Sequence, residues 1–351
     1  MPPKLLYYRL RILGAVSLIW LLFSIVFYYN LFPGNDLGVH VSLFQFTLIF
    51  YIIGLSITAI LIFYLKPAFH HQPVWLSVLV KLMITLVLFV FIAFILLLIY
   101  FVFLYHGNFN HFLHSFFTKI VRTETFNIFM VDMGVMTLIS IILLEVIDKY
   151  GPGLFWSLLV GEYHRPVVQN RIFIFLDMNA STSIAEQLGH EKYFRMLNDF
   201  FHVVTLSVLA NDGNIYQYVG DELVVTWPNT PENKIKSLKF IRNAFYLVQR
   251  RSKYYQKRYG VLPEFKAGVH AGEVTAGLIG MIKRDLIYCG DTVNTTARIR
   301  SMCGELNEFF ILSEDFMLDF SPPFGYEIVV IGKLELKGRN EPARLYSLKF
   351  E

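Results

Sequence analysis

Two aspartates stand where a chain of this pattern could do phosphate chemistry. Asp177 closes the apolar, β-branched run 171–177 (RIFIFLD), and Asp221 lies in the Gly220-Asp221 turn between the strand-like runs 214–219 and 222–227. If the first strand lies beside that hairpin, both carboxylates reach one edge. Hard divalent cations that accompany nucleotides take one or two protein carboxylates, with phosphate and water completing the shell. Two such ions activate an attacking oxygen and stabilise a leaving phosphate. A strand-end aspartate and a turn aspartate are also ordinary structural features, so the pair alone leaves both readings open. Ala180 to Thr182 follow Asp177 at a strand-to-helix turn, where backbone N–H groups suit a phosphate.

The elements that must hold these residues alternate. After the strand at 171–177, the runs 181–188 and 193–209 read as helices, the latter with apolar residues at Phe194, Leu197, Phe200, Phe201, Val204 and Val208. The hairpin 214–219/222–227 follows, and 234–259 reads as one amphipathic helix. The runs 264–270 and 273–279 read as a second strand pair around Ala271-Gly272, and 291–300 opens another helix after Cys289-Gly290. The order β-α-β-β-α-β is that of a ferredoxin-like core.

The N-terminal part obeys a different solvent. Of 58 charged residues only 13 fall in positions 1–150, and the windows 12–34, 37–65 and 82–118 contain none. A membrane-spanning helix needs ~20 predominantly apolar residues. Helices are therefore expected near 12–32, 42–65, 76–104 and 126–147, the last containing Asp132 and Glu145. The first is too long for a signal-peptide core, lacks a small-residue cleavage site and is followed by further spans. The expected organisation is a polytopic membrane domain over 1–149, a linker over 150–169 and a catalytic domain over 170–351. Tyr150-Gly151-Pro152-Gly153 breaks the last membrane helix, and 154–160 reads as a short interfacial or packing helix.

Basic residues before the first span (Lys4, Arg9, Arg11) and after the last (Lys149, Arg165, Arg171) favour both ends in the cytoplasm, against Lys119 and Arg122 in the third loop. The expected location is the cell's inner (plasma) membrane, multi-pass, with the catalytic part cytoplasmic. Two cysteines, Cys289 and Cys303, make no disulfide framework and suit a reducing compartment. A net charge of +4 is too small to argue for a nucleic-acid partner. Asp132 reads as functional or as a polar residue facing other helices, and Glu145 as the partner of Lys149 four residues on. His106, His111 and His114 in the third loop, with His40 on the same side, read as a solvated cluster or a metal or haem sensor.

The stretches FLDMNASTSIAEQLG (175–189), YQYVGDELVVTW (216–227), FKAGVHAGEVTAGLIG (265–280) and YCGDTVNTTARI (288–299) occur in that order. Together they closely resemble the catalytic domain of class III adenylate and guanylate cyclases, over about residues 170–350. The resemblance implies a palm-type, ferredoxin-like α+β domain on an α-helical membrane domain. It implies attack of a ribose 3′-oxygen on the α-phosphate of ATP, giving cAMP and pyrophosphate for intracellular signalling. It assigns two Mg²⁺ or Mn²⁺ per active site to Asp177, Asp221 and the backbone carbonyl of Met178. It assigns ribose orientation and α-phosphate charge to Asn294 and Arg298, whose i, i+4 spacing shares one helical face. Asn294 also reads as a helix-start residue and Arg298 as a solvated arginine. Lys337, or Arg339 beside it, matches a phosphate-contacting lysine, and Thr182 lies in the phosphate turn. The carboxylates and the Asn/Arg pair come from different subunits in this family, so one domain per chain implies a homodimer with shared sites.

Gln217 and Ile287 depart from the pattern. Adenylate cyclases of this family typically have Lys and Asp or Thr there, and guanylate cyclases Glu and Cys. A glutamine amide both donates and accepts, and so suits adenine or guanine. Asp285 substitutes for Ile287 only if its loop shifts. The readings set beside adenylate cyclase are a guanylate cyclase making cGMP and a membrane sensor whose cyclase-like domain only binds nucleotide. A diguanylate cyclase leaves GDTVNTTAR unexplained, and a transporter is disfavoured because no inverted repeat is visible.

Overall fold

The computed structural model describes residues 3–31, 42–69, 72–105, 109–335 and 342–350. The chain divides into two compact units, one running from Leu6 to Phe155 and the other taking in Trp156 to Glu351.

The first unit is helical: α1 (Pro3–Leu31), α2 (Leu43–Ile60), α3 (Val74–Tyr105) and α4 (Glu124–Tyr150). Among the described residues four stretches are long and apolar enough to cross a membrane: Leu5–Leu31, Leu43–Ala68, Val74–Ile95 and Glu124–Lys149. Many of their outward residues are apolar, among them Leu22, Phe44, Val87 and Val131. Ser42 and Gln45 cap α2 reciprocally, at 3.2 and 3.1 Å. Gly54 lets α2 lie on Trp20, since a Cβ there would come 2.3 Å from the indole.

Some polar groups inside this unit are paired between helices. Trp20 Nε1 donates to Ser140 Oγ at 3.0 Å, and Asn30 Nδ2 donates to both oxygens of Asp132, at 3.2 and 3.1 Å. Asp132 thus faces another helix. Glu145, expected to pair with Lys149, instead accepts from Lys81 on α3 at 2.9 Å. The two helices pack side by side, and the Lys81 side chain is only 6% exposed there, so its ammonium requires a counter-charge. His111 stacks on Phe101, while His40 and His106 lie outside the described residues. α4 ends at Gly151, whose φ of +75° suits a residue without a Cβ. A short helix, Pro152–Leu159, follows.

The second unit is built on one mixed sheet: β1 (Val167–Met178), β2 (Asn214–Val219), β3 (Glu222–Pro228), β4 (Phe265–Ile279), β5 (Asp285–Cys289), β6 (Phe310–Ser313), β7 (Tyr326–Leu334) and β8 (Ala343–Phe350). The strand order is β2-β3-β1-β4-β6-β8-β7, with β5 pairing β4 off this path. The first four strands thus lie as a ferredoxin-like core requires, with β1 between β3 and β4. The helices are α5 (Ser181–Leu188), α6 (His190–Ala210), α7 (Pro231–Arg250) and α8 (Asp291–Glu305). Ile172, Ile174 and Leu176 of β1 join the core with Phe200 and Val204 of α6 and Leu238 and Ile241 of α7. Strand alternation therefore turns Phe173, Phe175 and Asp177 to the opposite face.

Two expectations are corrected. The runs 264–270 and 273–279 form one continuous strand, β4, in which Ala271 and Gly272 pair with Ile172 and Arg171 of β1. Gly272 serves close approach rather than a turn, because a Cβ there would meet Thr292 Oγ1 at 2.7 Å. The turn comes later, at Gly280 with φ +117°, and the hairpin partner is β5. The helix expected over 234–259 breaks at Arg251, and Ser252–Tyr259 sets off separately with Tyr255 and Tyr259 buried in the core.

Candidate active site

Asp177 sits at the end of β1, opposite Glu222 of β3 and Lys266 of β4. Gly220, with φ +63°, makes the tight turn that brings Asp221 round, and the Asp221 carbonyl accepts from Met178 N–H at 3.4 Å. The hairpin tip is thereby tied to the end of β1, and the Asp177 and Asp221 carboxyls come within hydrogen-bonding reach. Burial pushes Asp177 above the usual carboxylate range; Arg300 pulls it back, and the Asp221 charge pushes it up further. Glu222 is pushed up by burial against the same arginine.

Among the described residues no group of three or more His, Cys, Asp or Glu side chains is arranged to hold a metal ion. Two crowded carboxylates with a backbone carbonyl nevertheless suit a divalent cation that arrives with a polyphosphate. A cation there would offset the Asp221 charge, which adds to the burial that raises Asp177. Met178 is 2% exposed, its side chain in the core, so only its backbone is placed to serve.

α5 begins directly beyond. Ala180 adopts a left-handed conformation (φ +53°), so the first N–H groups of α5, at Ser181 to Ser183, follow the strand end immediately. Thr182 is exposed in this first turn. Tyr193 of α6 hydrogen-bonds Ser181, and burial and the Asp221 and Asp177 charges push its hydroxyl up.

α8 lies against the face of the sheet that carries Asp177. Gly268 and Gly272 of β4 allow this, since Cβ atoms there would meet the Arg300 backbone nitrogen at 2.4 Å and the Thr292 hydroxyl at 2.7 Å. Arg300 reaches Asp177 Oδ2 at 3.2 Å and Glu222 Oε2 at 2.8 Å. Arg298, two residues earlier, points about 160° away around the helix, with Asn294 about 40° from it. Asn294 is exposed. Arg298 stands 4.0 Å from Asp291, and its buried Nη1 has no hydrogen-bond partner. The structure thus gathers Asp177, Asp221 and Met178, and turns the Asn294–Arg298 face away from them.

Gln217 is exposed on β2 next to a bulge at Tyr216, and Ile287 is half-buried on β5 opposite Gly277. Their neighbours touch: Tyr216 Oη accepts from Tyr288 N–H at 3.4 Å, and the two rings lie 5.0 Å apart. Asp285 is paired with Lys283 at 2.9 Å. Lys337 and Arg339 lie outside the described residues. Sequence reasoning misses Arg300, Glu222 and Tyr193. For Glu222 the signal is its place directly after Asp221.

Residues 166–349 match the family model described as the adenylate and guanylate cyclase catalytic domain. The chain is 36% identical over 211 residues to adenylate cyclase 2 of Rhizobium meliloti (strain 1021), across 59% of this chain and 58% of that protein. It is 26% identical over 186 residues to adenylate cyclase 1 of the same organism, across 50% of this chain and 27% of that one. The chain therefore spans less than two thirds of these relatives. Its fold is similar to that of a bacterial light-regulated adenylyl cyclase, with a TM-score of 0.52 and 17% identity over 61% of this chain and 64% of that one.

Proposed function

Because the chain belongs to the adenylate and guanylate cyclase catalytic domain family, we propose that it is a membrane-bound adenylate cyclase. It converts ATP to 3′,5′-cyclic AMP and pyrophosphate. Its domains are the membrane part over 1–149, a linker over 150–169 and the catalytic part over 170–351, the last on the cytoplasmic side of the plasma membrane. The observation that carries this reading is the division of the site: Asp177 and Asp221 side by side at one edge, and Asn294 and Arg298 directed elsewhere. One chain supplies half a site twice over, and a homodimer completes two.

Asp177, Asp221 and the Met178 carbonyl would hold Mg²⁺ or Mn²⁺, two per site. Such ions would supply a lowered pKa for the ribose 3′-hydroxyl and charge to offset the polyphosphate. The partner's α8 contributes the other half. Asn294 orients the ribose so that its 3′-oxygen lies in line with the α-phosphate. Arg298, whose buried Nη1 makes no hydrogen bond among the described residues, stabilises the charge that develops on that phosphate. The first turn of α5, with Thr182, and Lys337 receive the β- and γ-phosphates. The 3′-oxygen bonds to the α-phosphorus, the bond to the bridging oxygen breaks, pyrophosphate leaves, and the proton passes to water.

Gln217 donates to adenine N1 and accepts from the 6-amino group, while Ile287 packs on the base. The same amide, flipped, suits guanine, so the adenylate assignment rests on the relatives. The test is the full chain in detergent with ATP or GTP and Mg²⁺ or Mn²⁺. The expected product is cAMP; cGMP alone overturns the base assignment, and no cyclic product from either nucleotide overturns the enzyme.

A further inference from the structure

We infer that Arg300 is a positioning residue for the carboxylate pair, a built-in cation that fixes Asp177 and weakens the site's hold on a divalent ion. The inference rests on the assignment of Asp177 and Asp221 to a cation site. Three carboxylates, Asp177, Asp221 and Glu222, crowd this edge, and Arg300 is the guanidinium bound among them. It uses separate nitrogens, Nη1 on Asp177 Oδ2 at 3.2 Å and Nη2 on Glu222 Oε2 at 2.8 Å. Asp177 and Glu222 are register partners on β1 and β3, so the guanidinium spans two strands. The guanidinium is permanently charged and makes a hydrogen bond to Asp177 and an ion pair to Glu222 from one rigid plane, which a lysine ammonium does not.

The approach is built into the sheet. The Arg300 backbone rests on Gly268, and Gly268 pairs with Phe175, two residues before Asp177 on the same face. No side chain larger than hydrogen at 268 leaves α8 close enough to reach. Glu222 is only 12% exposed at its side chain, and the Arg300 guanidinium 2.8 Å away offsets part of the burial that disfavours its charge.

Two consequences have opposite signs. Arg300 repels a divalent ion arriving at Asp177, and Glu222 attracts one. A charge within a few ångströms changes a carboxylate's affinity for a proton about 10- to 1000-fold, and the same charge acts with the same sign on a divalent ion. Turnover depends on the clamp in another way, because an unheld Asp177 loses the orientation on which the reaction geometry rests.

The test titrates the full chain in detergent with Mn²⁺ alone and counts free Mn²⁺ by electron paramagnetic resonance. Arg300→Met is expected to bind Mn²⁺ about tenfold more tightly, and Glu222→Gln about tenfold more weakly. The cyclase kcat of Arg300→Met falls despite its tighter ion. Arg300→Lys keeps the charge and stays near wild-type affinity, and carries the test with Glu222→Gln if Arg300→Met does not fold. Weaker binding in both Arg300→Met and Glu222→Gln, or unchanged binding in both, overturns the inference. The Asp177→Asn variant separates the two claims: if it binds Mn²⁺ as wild type does, the cation site itself is misassigned.

Discussion

Replacing Gly268 with alanine tests whether the helix that carries Asn294, Arg298 and Arg300 is held by a steric fit. A Cβ at 268 would lie 2.4 Å from the Arg300 nitrogen and 2.8 Å from its Cα. Both are backbone atoms of a helix and cannot rotate aside. An ordinary carbon–nitrogen contact needs about 3.5 Å, so α8 must lift by about 1 Å. Overpacking of this kind costs about 1–3 kcal/mol, and a displacement of about 1 Å at reacting groups costs about 100-fold in rate. Gly304, on the same helix, has nothing within 4 Å of the corresponding position. Alanine there gains up to about 1 kcal/mol from helix propensity. The assay is amide exchange of the β1 and β4 segments against urea, with cyclase rate measured alongside. Gly268→Ala is expected to lose protection and rate together, and Gly304→Ala to lose neither. Full activity and protection in Gly268→Ala, or equal losses in both variants, refutes the close-approach argument.

Replacing Asn30 with leucine leaves Asp132 buried without the donor that satisfies both its oxygens, and costs the helical unit about 1–3 kcal/mol. The measurement is thermal unfolding of the full chain in detergent, and an unchanged midpoint counts against the pairing. Burial pushes the Cys303 thiol up to about 12, whereas Cys289 is exposed. Mass spectrometry after alkylation at pH 8 should find Cys289 modified and Cys303 protected until the protein unfolds. Because the Cys303 pKa is raised on folding, its contribution to stability is complete below the unfolded value near 9 and is lost as pH climbs to about 12. Denaturant midpoints measured across that window should therefore fall, and a Cys303→Ala variant should lack this part of the fall.

The pairing of Asp177 with Asp221 is legible in sequence because it needs only local rules: an apolar strand ending in Asp, a Gly-Asp turn and a topology that puts them side by side. The four apolar helices are legible for a similar reason, since charge-free length is a linear property of the chain. Gly272 misleads because a glycine that makes a turn and a glycine that admits a neighbouring helix look alike in sequence. Only the register with Arg171 and the approach of Thr292 distinguish them. Glu145 misleads because helix spacing offers Lys149 four residues on, while its partner Lys81 lies 64 residues away. Arg300 escapes notice because its role depends on which face of α8 meets the sheet.

The central claim is a site shared between two chains, and complementation tests it most directly. Full-length Asp221→Ala and Arg298→Ala chains, each inactive alone, are co-expressed in equal amounts and assayed for cAMP. Random pairing makes half the dimers mixed, each with one intact site, so the account predicts about a quarter of the wild-type rate. Activity no higher than that of either variant alone contradicts it.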